Sequence, residues 1–214
     1  MKSRHFFIFI FLIVLTLGLF TIDLICGSIH ISLKEILSVL GGDATNNINS
    51  EIILNFRLPK AITAVIAGSS LSVAGLMMQT LFRNPLADPY ILGVSSGASL
   101  GVALITMSSA ILPLALVNSG WAMIIAAITG ATLVLLLVIG VSFRVQNAVS
   151  LLIVGIMFGT IAGSVVNVIQ NFSNPDAIKL FVMWTFGSLS AVNWDYMQVL
   201  LPVALVGTGM AFML

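Results

Sequence analysis

The chain has 214 residues, 59% of them hydrophobic and 7% charged, with a mean hydropathy of +1.18. A soluble domain carries about a quarter charged residues, so this chain cannot build a water-facing surface and takes the bilayer as its solvent. The net charge of +1 leaves no electrostatic footprint for nucleic acid, and a single cysteine, Cys26, excludes an internal disulfide.

Lys2, Arg4 and His5 precede an apolar run over residues 6–26, long enough to cross a bilayer and longer than a signal-peptide core. It is read as a retained first span, with Asp23 solvated at its outer end and Cys26 in a packing role. Ser32-Leu33-Lys34-Glu35 fits a capping box, in which the serine hydroxyl and the glutamate serve free amides at a helix start. The helix it opens ends at Gly41-Gly42 after about two turns, too short to span, and is expected to lie along the interface. Further spans are predicted over residues 61–82, 91–107, 121–143 and 149–169, and a sixth begins near residue 197 and is still apolar at Leu214. Asn174-Pro175-Asp176 signals a second short helix, with a capping side chain followed by proline at the first helical position. The expected fold is all-α, a polytopic transmembrane helical bundle in a single domain over residues 1–214. The chain stops inside or at the edge of a helix, so it is expected to be incomplete.

Lys2 and Arg4 favour an N-terminus in the cytoplasm, which also places Arg83 and Arg144 inside. Lys34, Arg57, Lys60 and Lys179 then fall outside, so the basic residues split evenly. The same orientation puts Trp121, Trp184 and Trp194 at the outer interface, where indoles prefer to sit.

Between the second and third spans lies Arg83-Asn84-Pro85-Leu86-Ala87-Asp88-Pro89-Tyr90-Ile91-Leu92-Gly93. Two prolines and the nearby glycines release backbone groups that lipid cannot satisfy. Irregular chain at membrane depth survives only where protein covers it or it lines an aqueous path. The segment is therefore a candidate for the working part of a transporter.

Span two carries Gly68, Ser72 and Gly75 at helical spacing, and span five carries Gly155, Gly159 and Gly163. Small residues at this period let helices approach closely. In span five Thr160, Ser164 and Asn167 bring polar atoms beside the glycines, which also fits a helix facing a passage. Those two readings are compatible. Neither a phosphate loop nor a nucleophile–base constellation is present, and no ionisable group sits in the middle of a span. An enzyme, a metal site, a bound cofactor and direct ion coupling are all disfavoured. Uphill movement of a solute would need energy from another subunit.

Four stretches carry a more specific signal when taken in order. They are Arg57-Leu58-Pro59-Lys60; Gly68 through Ala74-Gly75 to Gln79; Arg83-Asn84-Pro85-Leu86-Ala87 running to Gly93 and Gly97-Ala98; and Trp184-Thr185-Phe186-Gly187-Ser188-Leu189 leading to Trp194. Together they resemble the FecCD-type permeases, membrane subunits of bacterial ABC importers for iron–siderophore complexes, haem and cobalamin. The resemblance covers essentially the whole chain and corresponds to about six of the ten spans such permeases are expected to have.

The resemblance implies that Arg57 and Lys60 face outward and pair with glutamates on a solute-binding protein. The family carries arginine at the second of these positions, and the lysine here replaces a bidentate fork with a point charge. By the same carry-over, Asn84, Pro85 and Leu86 with Gln146 and Asn147 lie where the path narrows at its cytoplasmic end. Span five, with Gly155, Gly159, Thr160 and Gly163, lines the passage near the two-fold axis of a permease dimer. The implied partners are a second permease, identical or different, two ATP-binding subunits, an extracytoplasmic solute-binding protein and the bacterial cytoplasmic membrane. The family's ATPase-docking helices follow the sixth span, beyond Leu214. An iron complex is the expected cargo. The alternatives are cobalamin import, a truncated scaffold that does not transport, or a channel.

Overall fold

A computed structural model describes residues 2–42, 48–107, 119–145 and 147–213. Among them all regular structure is helical. The chain forms two compact units, Met1–Ser70 with Leu189–Leu214 and Leu71–Ser188, and the division falls within one long helix.

The first unit opens with α1 (Lys2–Ile25), whose apolar side chains are almost all exposed along its length, as a lipid-facing helix requires. Only its last turns enter a core, through Leu24. Next comes α2 (Leu33–Leu40), where Ser32 Oγ accepts from the Glu35 amide as the sequence predicts. Glu35 Oε1 accepts instead from Asn49 Nδ2 at 2.8 Å, so the glutamate ties α2 to a later segment. Gly42, with φ of 98°, ends the helix in the left-handed region that glycine tolerates. Ile36 and Val39 bury one face of α2 against Leu24, Ile53 and Ala61, so the helix is packed on protein.

Sequence reading places no helix between Gly42 and span two, which it begins at residue 61. The structure differs. Helix α3 (Ile48–Ile52) runs through a π turn (Ile53–Arg57) into α4 (Leu58–Phe82), giving a continuous helical stretch over Ile48–Phe82. Proline inside a helix removes one donor and clashes with the preceding turn. The π turn absorbs this by sending the Leu58 amide to Ile53 rather than one residue later. The last helix of this unit, α9 (Trp194–Met213), begins three residues before the expected 197 and carries Pro202 inside it.

The second unit contains the rest of α4, the prolyl segment, α5 (Val94–Met107), α6 (Gly120–Ser142), α7 (Ala148–Asn171) and α8 (Pro175–Thr185). Helix α5 is central and packs against α6, α7 and α8. One core cluster joins Phe82, Ala87, Leu92 and Val138; another joins Val102, Ala103, Val166 and Phe181. Asn174 Oδ1 caps α8 by accepting from the Ala177 amide at 2.8 Å, with Pro175 following it as expected.

Among the described residues five helices are long and apolar enough to cross a membrane: Arg4–Ile25, Ile48–Phe82, Gly120–Ser142, Ala148–Asn171 and Trp194–Met213. The third expected span is the exception. Helix α5 has 14 residues as described, because Gly93 with φ of 74° holds the chain out of helix until Val94. Residues 108–118, where the expected connection to α6 falls, lie outside the described residues.

Candidate functional site

In the first unit the Arg57-Leu58-Pro59-Lys60 motif gathers the helix ends. The last carbonyls of α1 have no partner within the helix and carry the negative end of its dipole. Arg57 answers them: its Nη1 donates to Leu24 O at 2.6 Å and Ile25 O at 2.8 Å, and its Nη2 donates to Ile29 O. The residue is only 8% exposed. A Cβ at Gly27 would stand 2.7 Å from Nη2, so glycine there makes room for the guanidinium. The arginine expected to face a partner is thus turned inward as a clasp on α1. Sequence reading missed this because the carbonyls it serves lie some thirty residues earlier.

Lys60 is the reachable cation of the pair. Its Nζ donates to Asp23 Oδ1 at 2.8 Å, with side-chain exposures of 41% for the lysine and 34% for the aspartate. Asp23 is therefore ion-paired rather than simply solvated. Both line a cavity of about 320 Å³ with Arg57, Phe56, Ile29 and Ser190. Cys26 lines it too and is exposed, where a packing role was expected.

Pro59 is fully buried, and its missing N–H matters. The Leu54 carbonyl can take neither the Leu58 amide, which goes to Ile53, nor an amide at position 59. Trp194 Nε1 donates to it at 2.9 Å. One turn on, Thr63 Oγ1 donates to Pro59 O at 2.8 Å and sits 3.1 Å from Met197 Sδ. These contacts seat the start of α9 on the α3–α4 junction.

In the second unit α4 ends in a Schellman arrangement. The Asn84 amide donates to Gln79 O and the Arg83 amide to Thr80 O, with Arg83 at φ of 46° in the position glycine usually fills. Two Asx-Pro turns follow. Asn84 Oδ1 accepts from Leu86 N at 2.9 Å, and Asp88 Oδ1 accepts from Tyr90 N at 2.7 Å. The side chains Asn84 and Asp88 thus supply acceptors that the prolines' broken helix would otherwise lack. Leu86 projects at 85% exposure and Pro85 is exposed, while Ala87, Leu92 and Gly93 are buried.

Helix α7 covers the far end of this segment. A Cβ on Gly155 would meet Ile91 O and Leu92 Cα at 2.8 Å, and one on Gly93 would meet Gly155 O at 2.9 Å. Gly159 lies against Gly93 Cα and Ser96 Oγ, each 3.3 Å from its built Cβ. Gly155, Gly159, Ala162 and Val166 form this packed stripe, and Thr160, Ser164 and Asn167 form an exposed one turned by about 140°. Thr160 Oγ1 donates back to Ile156 O at 2.8 Å and Ser164 Oγ to Thr160 O at 2.9 Å. A shallow groove of about 340 Å³ runs along Thr160, Ser164 and Val168.

The remaining expected site residues scatter. Asn147 is exposed and caps α7, its Oδ1 accepting from Val149 N at 3.0 Å. Gln146 lies outside the described residues. Gly75 is in ordinary contact with Pro89, 3.8 Å from its built Cβ, whereas a Cβ on Gly68 or Gly163 would meet nothing within 4 Å, and Ser72 is exposed. The tightest crossing was not foreseen. A Cβ on Gly101 would stand 2.0 Å from Ala126 O, and one on Gly130 would stand 2.1 Å from Gly97 O. The Gly97-x-x-x-Gly101 spacing in α5 was the available signal.

Among known proteins, the chain is 34% identical over 208 residues to the hemin transport system permease protein HmuU of Yersinia pestis, covering 94% of this chain and 59% of the relative. It is 40% identical over 146 residues to a Helicobacter pylori protein described as a probable iron chelatin transport system permease, covering 68% of this chain and 42% of that one. It is 30% identical over 187 residues to the vitamin B12 import system permease protein BtuC of Vibrio parahaemolyticus, covering 86% and 53%. A solved structure described as an inward-facing metal-chelate type ABC transporter matches with a TM-score of 0.71 and 25% identity, over 88% of this chain and 55% of that one. The chain thus spans 42% to 59% of the length of these curated relatives. The FecCD transport family matches residues 12–214, and the chain belongs to that family.

Proposed function

We propose that the chain is the membrane-spanning part of an ABC importer permease that moves an iron complex, a ferric siderophore or haem, across the bacterial cytoplasmic membrane. It pairs with a second permease and two ATP-binding subunits, which supply the energy, and receives its cargo from an extracytoplasmic binding protein. The N-terminus lies in the cytoplasm. Lys60, backed by the charge of Arg57, faces the binding protein. Asn84, Pro85 and Leu86 with Gln146 and Asn147 narrow the inner end of the path. Gly68, Ser72 and Gly75 are the small residues of α4 where another helix can approach closely, and the exposed positions 68 and 72 suit contact with the other subunits.

One observation carries this reading: α7 covers the irregular prolyl segment with its glycine stripe while holding a polar stripe uncovered. Thr160 and Ser164 can bond back to their own helix, but the exposed amide of Asn167 is costly in hydrocarbon. A helix so built belongs beside water or another protein. Relatives named for haem, iron chelate and B12 transport support the cargo class.

The test is uptake of labelled ferric siderophore, haem and cobalamin by cells whose importer contains this chain. Uptake of an iron complex that Asn167→Leu impairs is expected. Uptake of cobalamin alone would replace the cargo, and no nucleotide-dependent uptake of any would leave a scaffold or a channel.

A further inference from the structure

The Lys60–Asp23 pair is built like a lock that can be exchanged. Lys60 Nζ reaches one oxygen of Asp23, Oδ1, at 2.8 Å, and among the described residues Oδ2 has no hydrogen-bond partner although it is shielded from solvent. The aspartate is therefore held at one point. Lysine contributes a mobile ammonium on a flexible stem, so it can turn to a new acceptor without moving the helix. At 41% and 34% exposure both groups remain reachable, and solvent weakens their attraction.

The surroundings favour an acid as the newcomer. Arg57 spends its donors on the neutral carbonyls of Leu24, Ile25 and Ile29, so its positive charge is not cancelled. Arg57 and Lys60 against Asp23 leave one positive charge in excess beside a cavity of about 320 Å³. That space admits a carboxylate side chain. Ser190 and Phe56 line its wall.

We propose that Asp23 is a built-in competitor for Lys60, so that an acidic partner surface docks by exchanging its own carboxylate for that of Asp23. This rests on the proposed docking of a binding protein at Lys60. Asp23 lowers the resting affinity of the outer face and makes docking a displacement. When the partner leaves, Asp23 returns to Lys60.

The test measures binding of the importer's own solute-binding protein to the complete importer in nanodiscs at physiological ionic strength. Asp23→Asn is expected to tighten binding about three- to fivefold, the scale of an exposed ion pair, and Lys60→Gln to weaken it. The double variant should bind like Lys60→Gln. If Lys60→Gln changes nothing, docking at this site is wrong and the competitor falls with it. If Lys60→Gln weakens binding while Asp23→Asn leaves it unchanged or weaker, docking stands and the competition is overturned. A partner-free arm follows acylation of Lys60 by a membrane-impermeant amine reagent in the same nanodiscs. Faster modification in Asp23→Asn supports the lock, and an unchanged rate overturns it.

Discussion

The Trp194 indole donates to the Leu54 carbonyl at 2.9 Å, and that carbonyl is the one Pro59 and the π turn leave without a main-chain donor. Two residues far apart in sequence thus repair one break in a membrane helix. Trp194→Phe keeps the ring and removes the donor, so it should destabilise the protein by about 1–3 kcal/mol. Thermal unfolding in detergent measures the loss. Adding Pro59→Ala returns an amide at position 59, and the double variant should lose less than Trp194→Phe alone. Equal losses would show that the orphaned carbonyl is not the reason.

The α5–α6 crossing leaves no space for a methyl group. Gly101→Ala and Gly130→Ala each aim a Cβ at backbone oxygen, at 2.0 and 2.1 Å, and a backbone cannot give as a side chain can. Each should cost about 3 kcal/mol or prevent assembly of the second unit. Gly163→Ala, with nothing within 4 Å, should leave folding unchanged. Limited proteolysis and thermal melts of the three variants separate these outcomes.

Arg83 occupies a left-handed conformation at φ of 46°, which costs a side-chain-bearing residue about 1–2 kcal/mol. Arg83→Gly removes that strain and should raise stability by up to about 1 kcal/mol after glycine's greater unfolded-state freedom is counted. Denaturant unfolding checks the sign. An arginine kept where glycine is the easier fit is consistent with a use for its charge beyond folding.

Asn84 and Pro85 shape the first Asx-Pro turn. Replacing both with alanine should leave membrane insertion intact and alter uptake or basal ATPase activity of the assembled importer. Wild-type rates in both assays would remove this segment from any gate.

Much of the helix inventory was readable because local signals agreed with the final structure. Helix α6 falls within one residue of its predicted bounds, and Asn174-Pro175 marks the start of α8 as capping chemistry dictates. The α3–α4 junction was not readable. A proline after a polar stretch reads as a helix start, and only Trp194, 140 residues beyond Leu54, supplies the donor that lets the helix continue past it. Asp23 and Lys60 are likewise 37 residues apart, so neither composition nor spacing joins them. The glycine stripes were visible as stripes. Which neighbour each would meet was a tertiary fact: Gly155 meets the prolyl segment, a Cβ on Gly68 would meet nothing within 4 Å, and Gly97 and Gly101 approach α6 closely.

Accessibility of the two ends of α4 tests the central claim most directly, since Lys60 lies in the first turn of that helix and Leu86 follows its end at Phe82. In a Cys26→Ser background, Lys60→Cys and Leu86→Cys are each exposed to a membrane-impermeant maleimide in intact cells. The account predicts that position 60 labels from outside and that position 86 labels only after the membrane is opened. Labelling of both positions from the same side would contradict it.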